Sequence, residues 1–552
     1  MTGNLTLAEF PPVTTEQWDE VVLKDLKGSA PKTKLYYRAQ DLQGLEYLNS
    51  TPGEFPYTRG TRANNAWRIR EVVHDTAAAQ AALHAGADEI CLVLGAQNIG
   101  EVLAALPKCS VHFEAGGRAV ELLEALARGP IPGGSVDYEP LAEFDRAADL
   151  VRALHAPDFR PITIGAHRCA AAGATIVQEL AFAIAEGVEM VVQLTDRGLT
   201  PDHAAQALAF SFSIGSNYFM EIAKLRAART LWACAIANFQ PAQTGSAKMK
   251  LDARTAHATK TIYDPYVNVL RATTEGMAAA IGGADSLRVE AFDEPYRKPE
   301  ESAIRLARNT QFILKQEAWL DRSVDAAGGS YYLETLTNSL AREAWAIFQK
   351  IEAAGGFVQY AAGGALDRDI AKSHADRQAA VSTRRIAIVG TNQFPNLQER
   401  MLPSIQREDP APRDARIFET IRLRTERHAA KTGRTPRFLL LESGDVKMRK
   451  ARSGFITNLF GCAGFEVEIA ETVTGDPDVI VLCSSDAEYA GLAPRVIQEL
   501  RDAGKSTPVI VAGHPADSME QLKQAGVADF VHARGNAAEV LRGWQERLGV
   551  NS

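Results

Sequence analysis

A chain of 552 residues is too long for one hydrophobic core, so ~2 to 4 domains are expected. With 46% apolar and 23% charged residues it belongs to neither the disordered nor the fibrous class. Against 60 basic residues stand 68 acidic ones, a net charge of −8, which excludes nucleic acid as the main partner because such binding needs a concentrated basic face.

Residues 1–60 read as an N-terminal arm. Thr14 or Thr15 can cap a helix that carries Trp18, Val21, Val22 and Leu26 at helical spacing and stops at Gly28. One amphipathic helix with little core of its own suits wrapping another surface. No basic start followed by an apolar run opens the chain, and no segment has the ~18 apolar residues of a membrane span, so a cytoplasmic protein without membrane contact is expected.

From 61 to 380, short apolar runs alternate with helical patterns. Strands are expected at Trp67–Val73, Glu89–Leu94, Val111–Glu114, Ser135–Tyr138, Ile162–His167, Glu189–Leu194 and Phe210–Ile214. Ala-rich helices (Thr76–Ala85, Ala174–Ala185) fall between them, and longer helices follow at Tyr218–Asn238, Pro265–Ala280 and Asn338–Ala354. Seven or eight such units fit a (β/α)8 barrel of the TIM type better than an open sheet. Residues 381–435 are rich in charge and proline and read as a linker with a helical stretch at Arg413–Lys431. From 436 onward, strands at Phe438–Leu441, Glu466–Ile469, Val479–Leu482, Pro508–Val511 and Asp529–Val531 match a flavodoxin-like doubly wound domain. The expected class is α/β: arm, barrel, linker and small doubly wound domain.

Barrel chemistry sits at the C-terminal strand ends. His167, just beyond Ile162–Ile164, can bond a carbonyl or exchange a proton there, or serve only as a structural histidine. His112, Glu114, Asp137, Tyr138 and Gln193 lie at other expected strand ends and read as packing or salt-bridge residues. The six cysteines (Cys91, Cys109, Cys169, Cys234, Cys462, Cys483) form no Cys-x-x-Cys pair and read as reduced, mostly buried thiols; no metal site is expected. No phosphate-binding loop, GxGxxG or Ser/His/Asp order is present, so the residues alone give a barrel with a pocket and no evident catalytic set. In the small domain a loop after Phe438–Leu441 is expected to carry Lys447, Arg449, Lys450 and Arg452, four cations that oppose a helix dipole and call for solvent or acidic partners.

Six blocks, in order, carry more: GEFPYTRG (53–60), WRIRE (67–71), AGAT (172–175), NYFMEIAKLRAARTLWA (217–233), DPYVNVLRATTEGMAAAIGGADSL (264–287) and ARNTQFILKQE (307–317). Together they resemble the methylmalonyl-CoA mutase family over nearly the whole chain. The resemblance implies a barrel that threads a CoA thioester and a cobalamin-binding-like domain that holds adenosylcobalamin above it, for radical interconversion of methylmalonyl-CoA and succinyl-CoA.

The resemblance also marks departures. The family's Asp-x-His-x-x-Gly cobalamin motif falls on Lys447–Arg452, which puts Arg449 at the cobalt-binding histidine and Arg452 at the glycine. A guanidinium offers no lone pair to cobalt. Ala166 stands at the family's catalytic tyrosine, while His167 is retained; the aromatic insert after TRG and the Thr-Ile-Gln segment have no match. The pattern is similar to the small (beta) subunit of heterodimeric bacterial members. It implies a non-catalytic chain with no cofactor, substrate or metal of its own, paired with a large (alpha) subunit that binds adenosylcobalamin and acyl-CoA. Two other readings stay open at this point: a stand-alone acyl-CoA barrel around His167, lined by IGG (281–283) and AGG (327–329), and an anion-sensing module at Lys447, Arg449 and Arg452.

Overall fold

The computed structural model describes residues 53–550 apart from 155, with Thr14 and five helical positions between 17 and 24. The chain divides into two units, Met1–Glu46 and Tyr47–Ser552. In the first, Thr14 caps a helix as expected: its Oγ1 accepts from the Gln17 N–H at 3.3 Å, and its own N–H donates to Gln17 Oε1 at 3.0 Å. Trp18, Val22, Leu26 and Gly28 lie outside the described residues.

In the second unit, nine strand segments form one parallel sheet: β1 (Arg68–Val73), β2 (Glu89–Val93), β3 (Ser110–Glu114), β4 (Gly134–Val136), β5 (Phe159–Arg160), β6 (Ile162–Ile164), β7 (Leu208–Ile214), β8 (Leu251–Thr255) and β9 (Ser286–Arg288). Their order is β5-β4-β3-β2-β1-β9-β8-β7-β6. β5 and β6 are two halves of one strand split at Pro161, which has no N–H for the ladder. The first half pairs with β4 and the second with β7, so the sheet closes as an eight-stranded barrel.

Two departures from the sequence reading have physical causes. Glu189–Leu194 is not a strand but part of the 21-residue helix Ile176–Asp196, started by a capping box between Thr175 and Gln178. Its β-branched run reads as a strand because the helix is buried on most sides and its helical period is blurred. β8 (Asp252, Arg254) and β9 (Ser286, Arg288) carry polar or charged residues at alternate positions, so they present no apolar run to find.

The family-like blocks build a buried polar frame. Arg229 donates to the carbonyls of Tyr57 (3.1 Å), Thr58 (3.1 Å) and Gly282 (2.7 Å). Arg226 pairs with Asp325 and Glu334, each at 2.9 Å, and Lys224 with Glu179 at 2.6 Å. Trp67 Nε1 reaches Gln311 at 3.3 Å. The glycines of IGG and AGG serve turns here: Gly283 and Gly329 hold φ of +81° and +83°, the left-handed region.

A second parallel sheet has the order β11-β10-β12-β13-β14, formed by β10 (Arg437–Glu442), β11 (Glu466–Ala470), β12 (Val479–Cys483), β13 (Val509–Ala512) and β14 (Asp529–Val531). Helices cover both faces. Val381, Ile388, Ala415, Phe418 and Ile421 of the connecting region share the core on one face. The helix Arg416–Thr432 also reaches the barrel, where Glu419 accepts from the Ile262 N–H and Glu426 from the Tyr263 hydroxyl. No helix among the described residues is long and apolar enough to cross a membrane.

Candidate functional site

Along the barrel strands, apolar side chains alternate with polar ones. Ile69, Ile90, Val111, Phe113, Phe212 and Leu287 are buried against the covering helices. The alternate set fills the interior. Arg70 donates to Glu89 at 3.0 Å and to Asp252 at 2.7 Å, and Ser286 donates to Asp252 at 2.8 Å. One layer higher, Glu114 Oε1 accepts from Arg254 and from Arg288, each at 3.0 Å. β3 and β8 are separated in the sheet by β2, β1 and β9, so this contact spans the barrel axis. Barrels of this type normally fill their centres with Val, Ile and Leu. Here three arginines and three carboxylates balance one another. Burial favours the neutral form of Glu114, but Arg288 and Arg254 outweigh it and hold the carboxyl well below the usual range.

Above this layer lies a cavity of about 340 Å³ lined by His167, Ser213, Arg254, His257, Arg288 and Glu290, with residues 407–411 of the connecting segment. His167 sits in the first turn of the helix Ala166–Ala171, its Nδ1 buried without a partner. Burial, then Arg254 and Arg168, push its pKa well down, so it is a neutral imidazole. Ala166 beside it is buried. Asp409 reaches into the mouth, 2.6 Å from His257 Nε2 and 2.9 Å from Arg413 Nε, while His257 Nδ1 meets Glu290. Burial disfavours the His257 cation, but the hydrogen bonds to Asp409 and Glu290 outweigh it and raise its pKa to about 10.

The small domain has its topological switch between β10 and β12, the place where doubly wound folds bind ligands. That edge is closed by the chain's own groups. The Glu488 carboxylate accepts from the Ser484 and Ser485 hydroxyls at 2.6 Å and from the Asp445 N–H at 3.2 Å. Those hydroxyl bonds, with backbone N–H groups, lower its pKa to about 2. A Cβ on Gly444, φ +77°, would lie 2.3 Å from that carboxylate. Arg452 pairs with Asp486 at 2.9 Å.

The four cations lie not in a loop but in the helix Val446–Gly461, capped by Asp445. Their acidic partners are in this chain: Arg449 meets Glu471 at 3.2 Å and Lys450 meets Glu442 at 2.6 Å, while Lys447 is exposed. Of the strand-end residues, Glu114 lies in the ion-paired layer at the barrel centre, His167 lines the cavity, Asp137 pairs with Arg168 at the rim, and Gln193 is on the helix Ile176–Asp196, away from any strand end. Sequence reasoning missed Arg254, Arg288, His257 and Glu488. For the first two the signal was the alternation of charges in LDART and SLRVE.

Residues 134–438 match the family model described as methylmalonyl-CoA mutase. The methylmalonyl-CoA mutase small subunit of Porphyromonas gingivalis is 37% identical, with 98% of each chain covered. That of Streptomyces virginiae is 32% identical, again with 98% of each covered, and a methylmalonyl-CoA mutase of Cereibacter sphaeroides is 28% identical over 93% of this chain and 96% of its own. A closed barrel followed by a five-stranded doubly wound domain, with this similarity over its length, makes the chain a member of the methylmalonyl-CoA mutase family, a family of isomerases.

Proposed function

We propose that this chain is the non-catalytic small subunit of an adenosylcobalamin-dependent methylmalonyl-CoA mutase, paired in the cytoplasm with a large subunit that holds cofactor and substrate. The observation that carries the reading is the ion-paired column across the barrel axis: Glu114, Arg254 and Arg288 occupy the centre through which a CoA thioester would have to thread. Cobalamin does not fit the small domain either. Arg449 stands where cobalt needs a nitrogen lone pair, and Glu488 and the Arg452–Asp486 pair close the ligand-binding edge. The names of the Porphyromonas and Streptomyces relatives agree with a subunit role. Co-expression with a large subunit that keeps the Asp-x-His-x-x-Gly motif tests the pairing. A stable one-to-one complex by light scattering is expected, and two separate species would refute it.

A second reading rests on His167, which lines a cavity large enough for a small acyl group and whose buried Nδ1 has no partner. Calorimetric titration of the chain with short-chain acyl-CoA, repeated on His167→Ala, separates the two. Heat that vanishes in the variant favours the acyl-CoA barrel; none in either favours the subunit. The ion pairs of Arg449, Lys450 and Arg452 weigh against anion sensing.

A further inference from the structure

Cys91 on β2 stands in register with His112 on β3, and Glu114 follows two residues on, which returns it to the face His112 occupies. All three face the barrel interior, and their ligand atoms (Sγ, ring nitrogen, carboxylate oxygen) lie within 4.8 Å of one another. His112 is only 1% exposed, and its Nε2 has no hydrogen-bond partner. Its other nitrogen, Nδ1, is 2.8 Å from Ser135 Oγ on β4. With Nδ1–H donating to that hydroxyl, Nε2 carries the free lone pair and the ring is fixed in orientation, the arrangement that metal-binding histidines use. Glu114 is similarly disposed. Both of its arginine bonds end on Oε1, which leaves Oε2 for another partner.

We propose that Cys91, His112 and Glu114 form a binding site for a zinc-type divalent cation inside the barrel. One thiolate, one imidazole and one carboxylate are a donor set zinc accepts, and the two negative ligands neutralise its charge. Usual zinc bond lengths imply ligand separations of roughly 3.3–3.8 Å, so closing the site takes on the order of an ångström of side-chain movement. Binding displaces the Cys91 thiol proton to solvent. Burial, and then Glu114, raises the Cys91 thiol to about 12 against the pull of Arg288, Arg70 and Arg254, so the proton leaves only as the cation binds; the arginines also repel the ion, an effect offset by Glu89 and Asp252. The ion has a way in: the cavity bounded by Arg254 and Arg288 lies directly above, and the Glu114 side chain is 22% exposed. A metal here would staple β2 to β3 within the charged interior of the barrel. The inference is independent of the subunit role.

The full chain, stripped with chelator and given equimolar zinc, should retain one ion, with a sulfur scatterer beside nitrogen and oxygen in X-ray absorption. Substitution with cobalt(II) should produce a thiolate charge-transfer band. Cys91→Ser should abolish the band. Ser135→Ala should weaken binding by ~10-fold or more. His514→Ala, at the histidine pair on the small domain, should change neither. Circular dichroism of each variant verifies the fold. The site is refuted if the chain holds no stoichiometric zinc, if bound zinc shows no sulfur neighbour, or if the cobalt band survives in folded Cys91→Ser.

Discussion

Glu114 on β3 and Arg254 on β8 meet at 3.0 Å across the barrel axis, although three strands lie between theirs in the sheet. Arg288 joins the same oxygen, so a single carboxylate holds two guanidiniums in a nearly buried layer. Glu114→Ala would leave Arg254 without its carboxylate and Arg288 with only Glu294 at 4.0 Å, and should destabilise the chain by ~3 kcal/mol. Urea denaturation measures this. Adding Arg254→Met should restore part of the loss, because one unpaired charge is then removed. The folded Glu114 carboxyl is depressed, so its contribution is present above the ordinary carboxylate range and is lost as pH falls through the folded value.

His257 carries the opposite sign. Its pKa rises from 6.5 to about 10 through Asp409 and Glu290. The stability it confers is fully present below pH ~6.5 and is lost as pH climbs toward ~10. Melting temperature followed from pH 6 to 10 should therefore fall more steeply in the native chain than in His257→Gln. Equal slopes would mean that the His257 contacts do not hold the connecting segment to the barrel mouth.

Arg229 donates to four backbone carbonyls, those of Tyr57, Thr58, Gly282 and, at 3.4 Å, Gly283, on two chain segments far apart in sequence. Arg229→Met keeps the stem's packing yet orphans the carbonyls of Thr58, Gly282 and Gly283, while that of Tyr57 keeps the Gly60 N–H at 2.9 Å. Each buried unsatisfied group costs ~1–3 kcal/mol, so a loss of at least ~3 kcal/mol is expected. A change under ~1 kcal/mol in urea denaturation would show that water replaces the guanidinium without cost.

In the small domain, Lys447→Asp, Arg449→His and Arg452→Gly together rebuild the family's cobalamin motif. The variant should still fail to take up cobalamin, because Glu488 holds the switch-point edge through Ser484, Ser485 and the Asp445 N–H. Absorbance titration checks this, and a nitrogen-ligated corrin spectrum would show that the edge is open.

The fold was largely legible because six barrel strands (β1 to β4, β6 and β7) and all five of the small domain are runs bounded by helices with their own period. The runs failed where burial blurred the period, as in Glu189–Leu194, and where side chains inside the barrel are charged, as in Leu251–Thr255. Substitutions at 166 and 449 could be read one position at a time. The closures could not: Glu488 meets Asp445 across 43 positions, and Glu114 meets Arg254 across 140. Such pairs exist only once the sheets have formed. Cys91 and His112 became neighbours in the same way, through strand register alone.

The subunit reading has this chain bind neither adenosylcobalamin nor acyl-CoA. Its most direct test is to incubate the purified chain with adenosylcobalamin, alone and with a motif-bearing large subunit, then to measure retained corrinoid by absorbance and the conversion of methylmalonyl-CoA to succinyl-CoA. The account predicts no corrinoid and no turnover for the chain alone, and both for the pair. Corrinoid retained by the isolated chain together with turnover would contradict it.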